Sequence, residues 1–291
     1  MTALRYDVVD VFTDRPYAGN PLAVVHGAHE LSTGQMQAIA RELDLSETTF
    51  PLPPTEDGAD YRVRIFTPSV ELPFAGHPSV GTAWALARDG VIAHGERVQQ
   101  CGAGLLPVRV DAGGARIGGG APVVGDDRDA GALAAAVGLV HDDVDGAAAP
   151  GIASAGVPYV FLLVRRDAVA CAVPDHAAIR ALTDGLTGLV VCSVDADATR
   201  VHARMFAPGS GVDEDPATGS AAVALGVFLA DRGLVPPESE HAFTIVQGAE
   251  IGRPSTLHTT VTCAGGAAVS TTVAGGVAAV ARGELVAAPA G

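Results

Sequence analysis

The chain contains no lysine, and all eighteen of its basic residues are arginines. Schiff-base catalysis, the anchor for pyridoxal phosphate and the phosphate-binding P-loop each depend on a lysine side chain. The absence of lysine therefore excludes these three mechanisms before any motif is considered.

The chain also has no cluster of basic residues, and its formal net charge is −15. Nucleic-acid binding relies on grouped cations that contact phosphates, so we expect no nucleic-acid partner.

The four cysteines lie far apart without CxxC spacing, which is typical of small buried side chains in a reducing compartment. They are Cys101, Cys171, Cys192 and Cys263.

Long apolar runs are missing as well. No uninterrupted stretch approaches the roughly 20 residues of a membrane span. Near the N-terminus, Arg5 and Asp7 stand where a signal peptide would need an apolar core. These features predict a soluble, cytoplasmic protein without a membrane partner.

Several catalytic motifs are absent. A serine hydrolase has the pattern G-x-S-x-G, whereas the segment from Gly76 to Gly81 has one residue too many between glycine and serine. The zincin pattern H-E-x-x-H does not occur, and the histidines of 26–30 and 141–143 lie in polar loop sequence, so we expect no metal. A G-x-G-x-x-G dinucleotide motif is also lacking.

Short β-prone segments dominate what is present. They are β-branched or alternating and are bounded by Gly, Pro or Asp, as expected of strands. Their sequences are YDVVDVF, YRVRIF, LLPVRV, VPYVFLLV, LVVCSV, VHARMF, FTIVQ and LHTTVTC. One helix is clearly signalled, because Ser32 and Gln35 form a capping box and Leu31 can pack onto Met36. We therefore predict an α+β fold.

Two further helices have no polar face. The segments 79–87 and 220–230 are apolar or tiny on every side. A helix of this kind has to be buried all round, and with few other helices present the strands must enclose it. Each half of the chain is thus predicted to be a sheet wrapped around its own central helix.

The two halves also share a short repeat. Arg-x-Phe-x-Pro segments precede both apolar helices, at residues 64–68 and 204–208. This repeat predicts two related lobes, with a break at 118–127, where glycines and a proline interrupt the pattern. The alternative is that 118–127 is a surface loop within one mixed α+β domain.

Loops of small residues lead into both apolar helices, at 75–78 and 217–220. Free backbone N–H groups and the helix dipole make such starts suitable for anions, so a small carboxylate could bind there if the halves face each other. Taken alone, Asp215 is equally compatible with a helix N-cap and Gly219 with a tight turn.

Glu47 lies between the capped helix and a short β-prone run, where a lone glutamate is usually solvated.

Five segments of the chain together resemble the PhzF-like family. This family is named for the phenazine-biosynthesis isomerase and is related in fold to diaminopimelate epimerase and proline racemase. The segments occur in order between Asp10 and about Ser255. They are DVFTDRPYAGNPLAVV, SETTF, RIFTPSVELPFAGHPSVGTA, DEDPATGSAA and QGAEIGRPS.

The resemblance implies two pseudo-symmetric lobes, each a β-barrel around a central buried helix, with the active site between them and a homodimer as the assembly. The N-terminal lobe would span 1–120, completed by a strand near 278–291, and the C-terminal lobe would span 127–277. No cofactor is implied.

The resemblance also implies roles for individual residues. Glu47, from SETTF, inherits the acid–base role, and His77 and Asp215 are the other catalytic residues. Together with the substrate-binding Ser220 they surround a small anionic substrate. The glycines that would offer backbone amides are Gly76 and Gly219.

One departure from the wider superfamily bears on the reaction. Its epimerases and racemases use two thiols, whereas Ala75 and Ala217 occupy the small positions beside the helices here. A single carboxylic acid moving a proton, and with it a double bond, in a small unsaturated cyclic carboxylate is therefore favoured. Alternatives are an epimerase or racemase of the same fold, and a protein that binds a small carboxylate without catalysis.

Overall fold

The computed structural model describes residues 3–287 and 289. The chain divides into two compact units: the first runs to Ile117 and resumes at Ala274, and the second runs from Gly118 to Val273. From the sequence, the boundaries of the two lobes are predicted between residues 120 and 127 and after residue 277.

The first unit is built mainly of strands. Its strands, in chain order, are β1 (Leu4–Val11), β2 (Asn20–Val25), β3 (Glu47–Leu52), β4 (Tyr61–Phe66), β5 (Glu71–Leu72), β6 (Gly95–Cys101), β7 (Gly104–Val110) and β8 (Gly114–Gly118). Its helices are α1 (Thr33–Leu43) and α2 (Gly76–Arg88), with a 3₁₀ turn at Ala28–Glu30.

The second unit has both strands and short helices. Its strands are β9 (Pro122–Asp127), β10 (Gly151–Ala155), β11 (Pro158–Leu163), β12 (Gly188–Val194), β13 (Arg200–Ala207), β14 (Val212–Asp215), β15 (Ser239–Gln247) and β16 (Ser255–Ala264). Its helices are α3 (Ala130–Ala136), α4 (Arg166–Val169), α5 (His176–Leu182) and α6 (Gly219–Asp231). A last strand, β17 (Ala267–Leu285), starts in the second unit and ends in the first.

Eight strands of the first unit form a closed barrel. β17 pairs with β1, β1 with β2, β2 with β3, β3 with β4 and β4 with β6. β6 then pairs with β7, β7 with β8, and β8 with β17, which completes the ring. Closure leaves no free edge, so each backbone in the ring has a neighbour on both sides.

Helix α1 begins as the sequence predicts. The Ser32 side chain accepts from the Gln35 N–H, and the Gln35 side chain accepts from the Ser32 N–H, which makes a complete capping box. Met36 and Ile39 are buried on its inner face, and Leu31 packs against the same cluster.

Helices α2 and α6 are alike in length and burial. Each has 13 residues, and α6 is buried almost throughout from Gly219 to Ala230. α2 packs against β1, β2, β3, β4 and β7, while α6 packs against β9, β10, β11 and β16. Each ends before a glycine with positive φ, Gly90 or Gly233, the usual way to stop a helix.

The two units repeat the same series of strand pairings. In the first, β2 and β3 are parallel, β3 and β4 antiparallel, β4 and β6 parallel, and β6 and β7 antiparallel. In the second, β11–β12, β12–β13, β13–β15 and β15–β16 follow the same order. A short antiparallel strand joins β4 as β5, and β13 as β14. The short sequence repeat therefore reflects a topological one.

Two features of the local structure were not anticipated from the sequence. Within 118–127, Pro122–Asp127 forms β9 and pairs with β10, while the division between the two units falls at the start of this stretch, after Ile117. Its exposed valines, Val123 and Val124, explain why no inward-facing pattern was visible. Helices α3 and α5 were missed: both are only seven residues long, and an Asp N-cap, Asp129 or Asp175, starts each.

Between residues 3 and 287, no helix combines the length and the apolar character that crossing a membrane requires.

Candidate active site

Glu47 and His77 lie together in the first unit. Glu47 is the first residue of β3, and His77 is the second residue of α2. The Nε2 atom of His77 is 3.3 Å from the Oε2 atom of Glu47, and both side chains are largely buried, at 7% and 16% exposure. A strand start and a helix start thus bring a carboxyl group and an imidazole into contact.

The imidazole of His77 is neutral at ordinary pH. Burial lowers its pKa to about 3, although a hydrogen bond to the backbone of Pro21 partly opposes this. Proline has no N–H, so the ring donates to the Pro21 carbonyl; because Nε2 faces Glu47, Nδ1 is the donor. Nε2 is then an acceptor beside the carboxyl group, and the Glu47–His77 contact is not an ion pair.

The start of α2 is not capped by a side chain. Its N-cap position is Ala75, in an extended conformation, and Gly76 and Pro78 follow in the first turn. The Ser79 hydroxyl donates to the carbonyl of Ala75, which ties the turn together. Such a start has N–H groups and a dipole suited to a carboxylate.

Asp215, Gly219 and Ser220 lie in the second unit, around the start of α6. Here too the N-cap residue, Thr218, makes no capping bond to the helix. Its hydroxyl donates instead to the Oδ2 atom of Asp215 at 2.5 Å. The Ser220 hydroxyl is 2.7 Å from that of Tyr159. The reading of Asp215 as a helix N-cap was therefore wrong, because it ends β14.

The three carboxylates of 213–215 have different partners. Asp213 is exposed and lies 3.2 Å from Nδ1 of His176. Glu214 accepts two bonds from the buried guanidinium of Arg204, at 2.9 and 2.7 Å. Only Asp215 turns to the start of α6. Three adjacent carboxylates in the sequence thus have three surroundings: Asp213 is in a surface pair, Glu214 is in a buried ion pair, and Asp215 remains a candidate site residue.

Gln247 is a residue of this region that the sequence did not single out. Its side chain donates to the carbonyl of Asp215 at 2.7 Å and to the Thr218 hydroxyl at 3.0 Å, and it accepts from the Thr218 N–H at 3.3 Å. A side chain on Gly248 would meet the Pro216 carbonyl at 2.6 Å. The sequence signal that could have identified Gln247 was the Gln-Gly pair at the start of QGAEIGRPS, because both residues contact the DPATGS loop.

One group elsewhere has the spacing of a metal site. Ligand atoms of Asp7, His26 and Asp89 lie within 4.8 Å of one another. Asp7 also accepts hydrogen bonds from Arg88 and Arg282. These cations already neutralise the buried carboxylate, so the cluster fits an internal ion network better than a cation site.

A cavity of about 500 Å³ lies in the second unit, between β12, β13 and the loop after β15. None of the predicted site residues lines it. Its polar lining includes Arg166, Arg200 and His202. The Nε2 atom of His202 donates to the Oε1 atom of Glu250 at 2.8 Å.

The structure therefore groups the predicted residues in two sets. Glu47, Gly76 and His77 belong to the first unit, and Asp215, Gly219 and Ser220 belong to the second. Each set surrounds the start of an apolar helix, as the sequence indicated.

Comparison with known proteins supports an isomerase or epimerase activity. The chain is 38% identical over 288 residues to a trans-2,3-dihydro-3-hydroxyanthranilate isomerase from Pseudomonas aeruginosa, covering 96% of this chain and 98% of that protein. It is also 37% identical to an uncharacterized isomerase from Mesorhizobium japonicum, covering 98% and 99%.

Solved structures show the same fold. A PhzF-family phenazine biosynthesis protein from Bacillus anthracis superposes with a TM-score of 0.89 at 26% identity, covering 99% of this chain and all of that one. A probable proline racemase from Agrobacterium radiobacter superposes at 0.67 with 13% identity, over 97% and 93%. The model for phenazine biosynthesis-like proteins (PhzC-PhzF) matches residues 9–283, and the chain belongs to this PhzF family.

Proposed function

We propose that the protein is a cofactor-independent isomerase that shifts a proton and a double bond in a small cyclic unsaturated carboxylate. The observation that carries the proposal is the contact of Glu47 with the neutral imidazole of His77 at 3.3 Å. The name of the Pseudomonas aeruginosa relative supplies the model substrate, trans-2,3-dihydro-3-hydroxyanthranilate.

In this mechanism Glu47 acts first as base and then as acid. Its carboxylate removes a proton from one ring carbon, and the electron pair of the broken C–H bond moves into the conjugated system. The carboxyl group then returns the proton to another carbon of that system, which completes the shift of the double bond. His77 faces the same carboxyl group at 3.3 Å through an uncharged Nε2, so protonation of Glu47 would place a donor beside this acceptor, and the neutral ring does not trap the carboxylate as a salt bridge.

The helix starts bind the substrate in this proposal. Backbone N–H groups at Gly76 and Gly219 hold the carboxylate, while Asp215 and Ser220 contact its polar substituents. Both groups stand at the start of a largely buried 13-residue helix, which fixes them on rigid elements. That both sets act on one substrate stays a prediction.

The racemase alternative lacks its bases. Neither residue 75 nor 217 is a cysteine, and burial raises the pKa of the Cys192 thiol to about 12. Cys171 is exposed on α4's C-terminal side, away from both helix starts in sequence. The alternative of a protein that binds without turnover leaves the buried Glu47–His77 contact without a role.

Replacing Glu47 by glutamine tests the mechanism. Glu47→Gln keeps the size of the side chain and removes the transferable proton, so kcat should fall by at least about 10²-fold. Turnover of trans-2,3-dihydro-3-hydroxyanthranilate is followed by its ultraviolet absorbance, and folding by thermal unfolding. Glu30→Gln is the matched control, because Glu30 is exposed in a 3₁₀ turn and should leave kcat unchanged.

A Glu47→Gln variant with near-normal kcat would eliminate the acid–base role. A wild-type protein that binds the diene without converting it would favour the non-catalytic alternative.

A further inference from the structure

The shared pairing series makes it possible to match residues of the two units one by one. Thr48 lies opposite Phe66 in the β3–β4 ladder, and Leu189 lies opposite Phe206 in the β12–β13 ladder. Phe66 and Phe206 occupy the same place in the Arg-x-Phe-x-Pro repeat. The residue before each partner is Glu47 in the first unit and Gly188 in the second.

The neighbouring parallel ladders and the helices extend the match. Glu47 pairs with Leu22, and Gly188 pairs with Tyr159. α2 and α6 both have 13 residues and both begin with glycine, so His77 and Ser220 are equivalent second residues. The set Leu22, Glu47 and His77 in the first unit thus corresponds to Tyr159, Gly188 and Ser220 in the second.

Position 188, the equivalent of Glu47 in the second unit, has room only for glycine. A Cβ atom on Gly188 would lie 2.5 Å from the carbonyl oxygen of Phe206 and 3.2 Å from the Cβ of Ala207. Backbone cannot move out of the way as a flexible side chain can. The position equivalent to Glu47 is therefore closed to any carboxylate.

A different polar pair stands at the equivalent helix start. The hydroxyl of Tyr159, which is 2% exposed, lies 2.7 Å from that of Ser220. Where the first unit has a carboxyl group beside an imidazole, the second has a phenol beside an alcohol. The Tyr159 side chain reaches the start of α6 from the strand next to Gly188.

The chemistry of the two hydroxyls indicates which of them donates the hydrogen bond. The positions of the two oxygens are compatible with either hydroxyl as the donor. Because a phenol, with an ordinary pKa near 10, is a better donor than an alcohol, we assign the donor role to Tyr159 and the acceptor role to Ser220. The Ser220 proton is then left to point at a bound oxygen. A phenol and an alcohol act as hydrogen-bond donors and acceptors at neutral pH and not as bases, so the pair binds without serving as a second base.

We propose that Tyr159 is a positioning residue that orients the Ser220 hydroxyl as a donor to the substrate. The inference rests on the proposed function for the identity of the substrate. It also assigns the two units different tasks: the first transfers the proton, and the second only binds.

The variant Tyr159→Phe tests this assignment, because it removes one oxygen and keeps the ring. KM for trans-2,3-dihydro-3-hydroxyanthranilate should rise by about fivefold to tenfold, as expected for one hydrogen bond, with kcat within about twofold. The pH profile of kcat should not shift. Adding Tyr159→Phe to Ser220→Ala should change KM no further, since Tyr159 acts through Ser220.

Tyr61→Phe is the matched control. Tyr61 is also buried and its hydroxyl donates to Gln99 at 3.1 Å, so the variant should lose stability and keep the wild-type KM. An unchanged KM in Tyr159→Phe, or effects of Tyr159→Phe and Ser220→Ala that simply multiply, would overturn the inference.

A second probe separates this inference from the proposed function. If the wild type does not convert the diene, the proposed function fails, and binding of 3-hydroxyanthranilate measured by calorimetry decides the inference. Tyr159→Phe should then bind this probe about fivefold to tenfold more weakly than the wild type. Equal affinity, or no binding to either protein, would overturn the role of Tyr159.

Discussion

At the scale of single residues, His77 shows how burial determines chemistry. Its neighbours offer a carbonyl and a carboxyl group, yet desolvation dominates and keeps the ring uncharged. An imidazolium at this place would hold Glu47 as a paired carboxylate. A neutral ring leaves the carboxyl group available to take and return a proton.

The lowered pKa of His77 predicts a dependence of stability on pH. The unfolded chain binds a proton at this histidine near pH 6.5, whereas the folded protein does not until about pH 3. Stability is therefore lost as pH falls through this window, by about 1.4 kcal/mol per pH unit from His77 alone. His77→Gln should remove that contribution, and urea unfolding at pH 7 and pH 5 measures it.

His29→Gln is the control, since His29 is exposed and should keep the wild-type slope. Parallel losses of stability in His77→Gln and the wild type would contradict the assignment.

At the scale of elements, each unit holds its site loop with an arginine. Arg64 of β4 donates two bonds to Glu71 of β5, at 2.7 and 2.6 Å. Arg204 of β13 does the same to Glu214 of β14. Each guanidinium also lies over the phenylalanine two residues on, at 5.2 and 5.1 Å from the ring centre. The arginine of the sequence repeat thus fastens the short strand before each apolar helix to its neighbour, and we call each of these arginine–glutamate pairs, Arg64–Glu71 and Arg204–Glu214, a clamp.

The two clamps should differ in their contribution to stability. Glu214 and Arg204 are about 10% and 8% exposed, whereas Glu71 is 37% exposed. Glu214→Ala strands a buried guanidinium and should lower the free energy of unfolding by about 3 kcal/mol. Glu71→Ala should cost about 1 kcal/mol or less, because water screens its partner.

Urea unfolding of the two variants provides the comparison, and each variant serves as control for the other. Equal losses, or a larger loss for Glu71→Ala, would show that burial does not govern these pairs.

At the scale of the whole molecule, the two units share one topology but carry different polar groups at equivalent positions. The first unit carries a carboxyl–imidazole contact, and the second carries hydroxyls and a closed position at Gly188. In the proposed mechanism this difference leaves one acid–base group per chain, Glu47, while Asp215 at the start of α6 contacts the substrate. The predicted homodimer stays a prediction and would double that number without adding a second base to a site.

A single base predicts that the migrating hydrogen is partly retained. The proton that Glu47 removes from one carbon can return to another before it exchanges with water. A substrate deuterated at the migrating position should therefore give product with part of its label on the new carbon, on the same face, as shown by mass spectrometry and NMR. A closed, dry site raises the retained fraction.

The outcome that would contradict this is complete loss of label together with inversion at a stereocentre. A two-base racemase takes its incoming hydrogen from solvent on the opposite face, so this result would return the protein to the racemase alternative.

Much of the local structure was readable from the sequence. The capping box at Ser32, the β-prone segments and the two apolar helices all correspond to observed elements, because each depends on neighbours a few residues away. The repeat at 64–68 and 204–208 indicated related halves for the same reason. Glu47 and both helix starts were likewise identified from their motifs, although their functional roles stay predictions.

Tertiary structure alone decided which distant residues meet. The parallel pairing of β2 with β3 brings Leu22 beside Glu47, and the same pairing in the second unit brings Tyr159 beside Gly188. Likewise, Gln247 reaches Asp215 across 32 positions of sequence. Local pattern carries the choice of helix or strand, whereas register, burial and the partner of each polar group depend on the packed chain, because they arise from contacts between residues far apart in sequence.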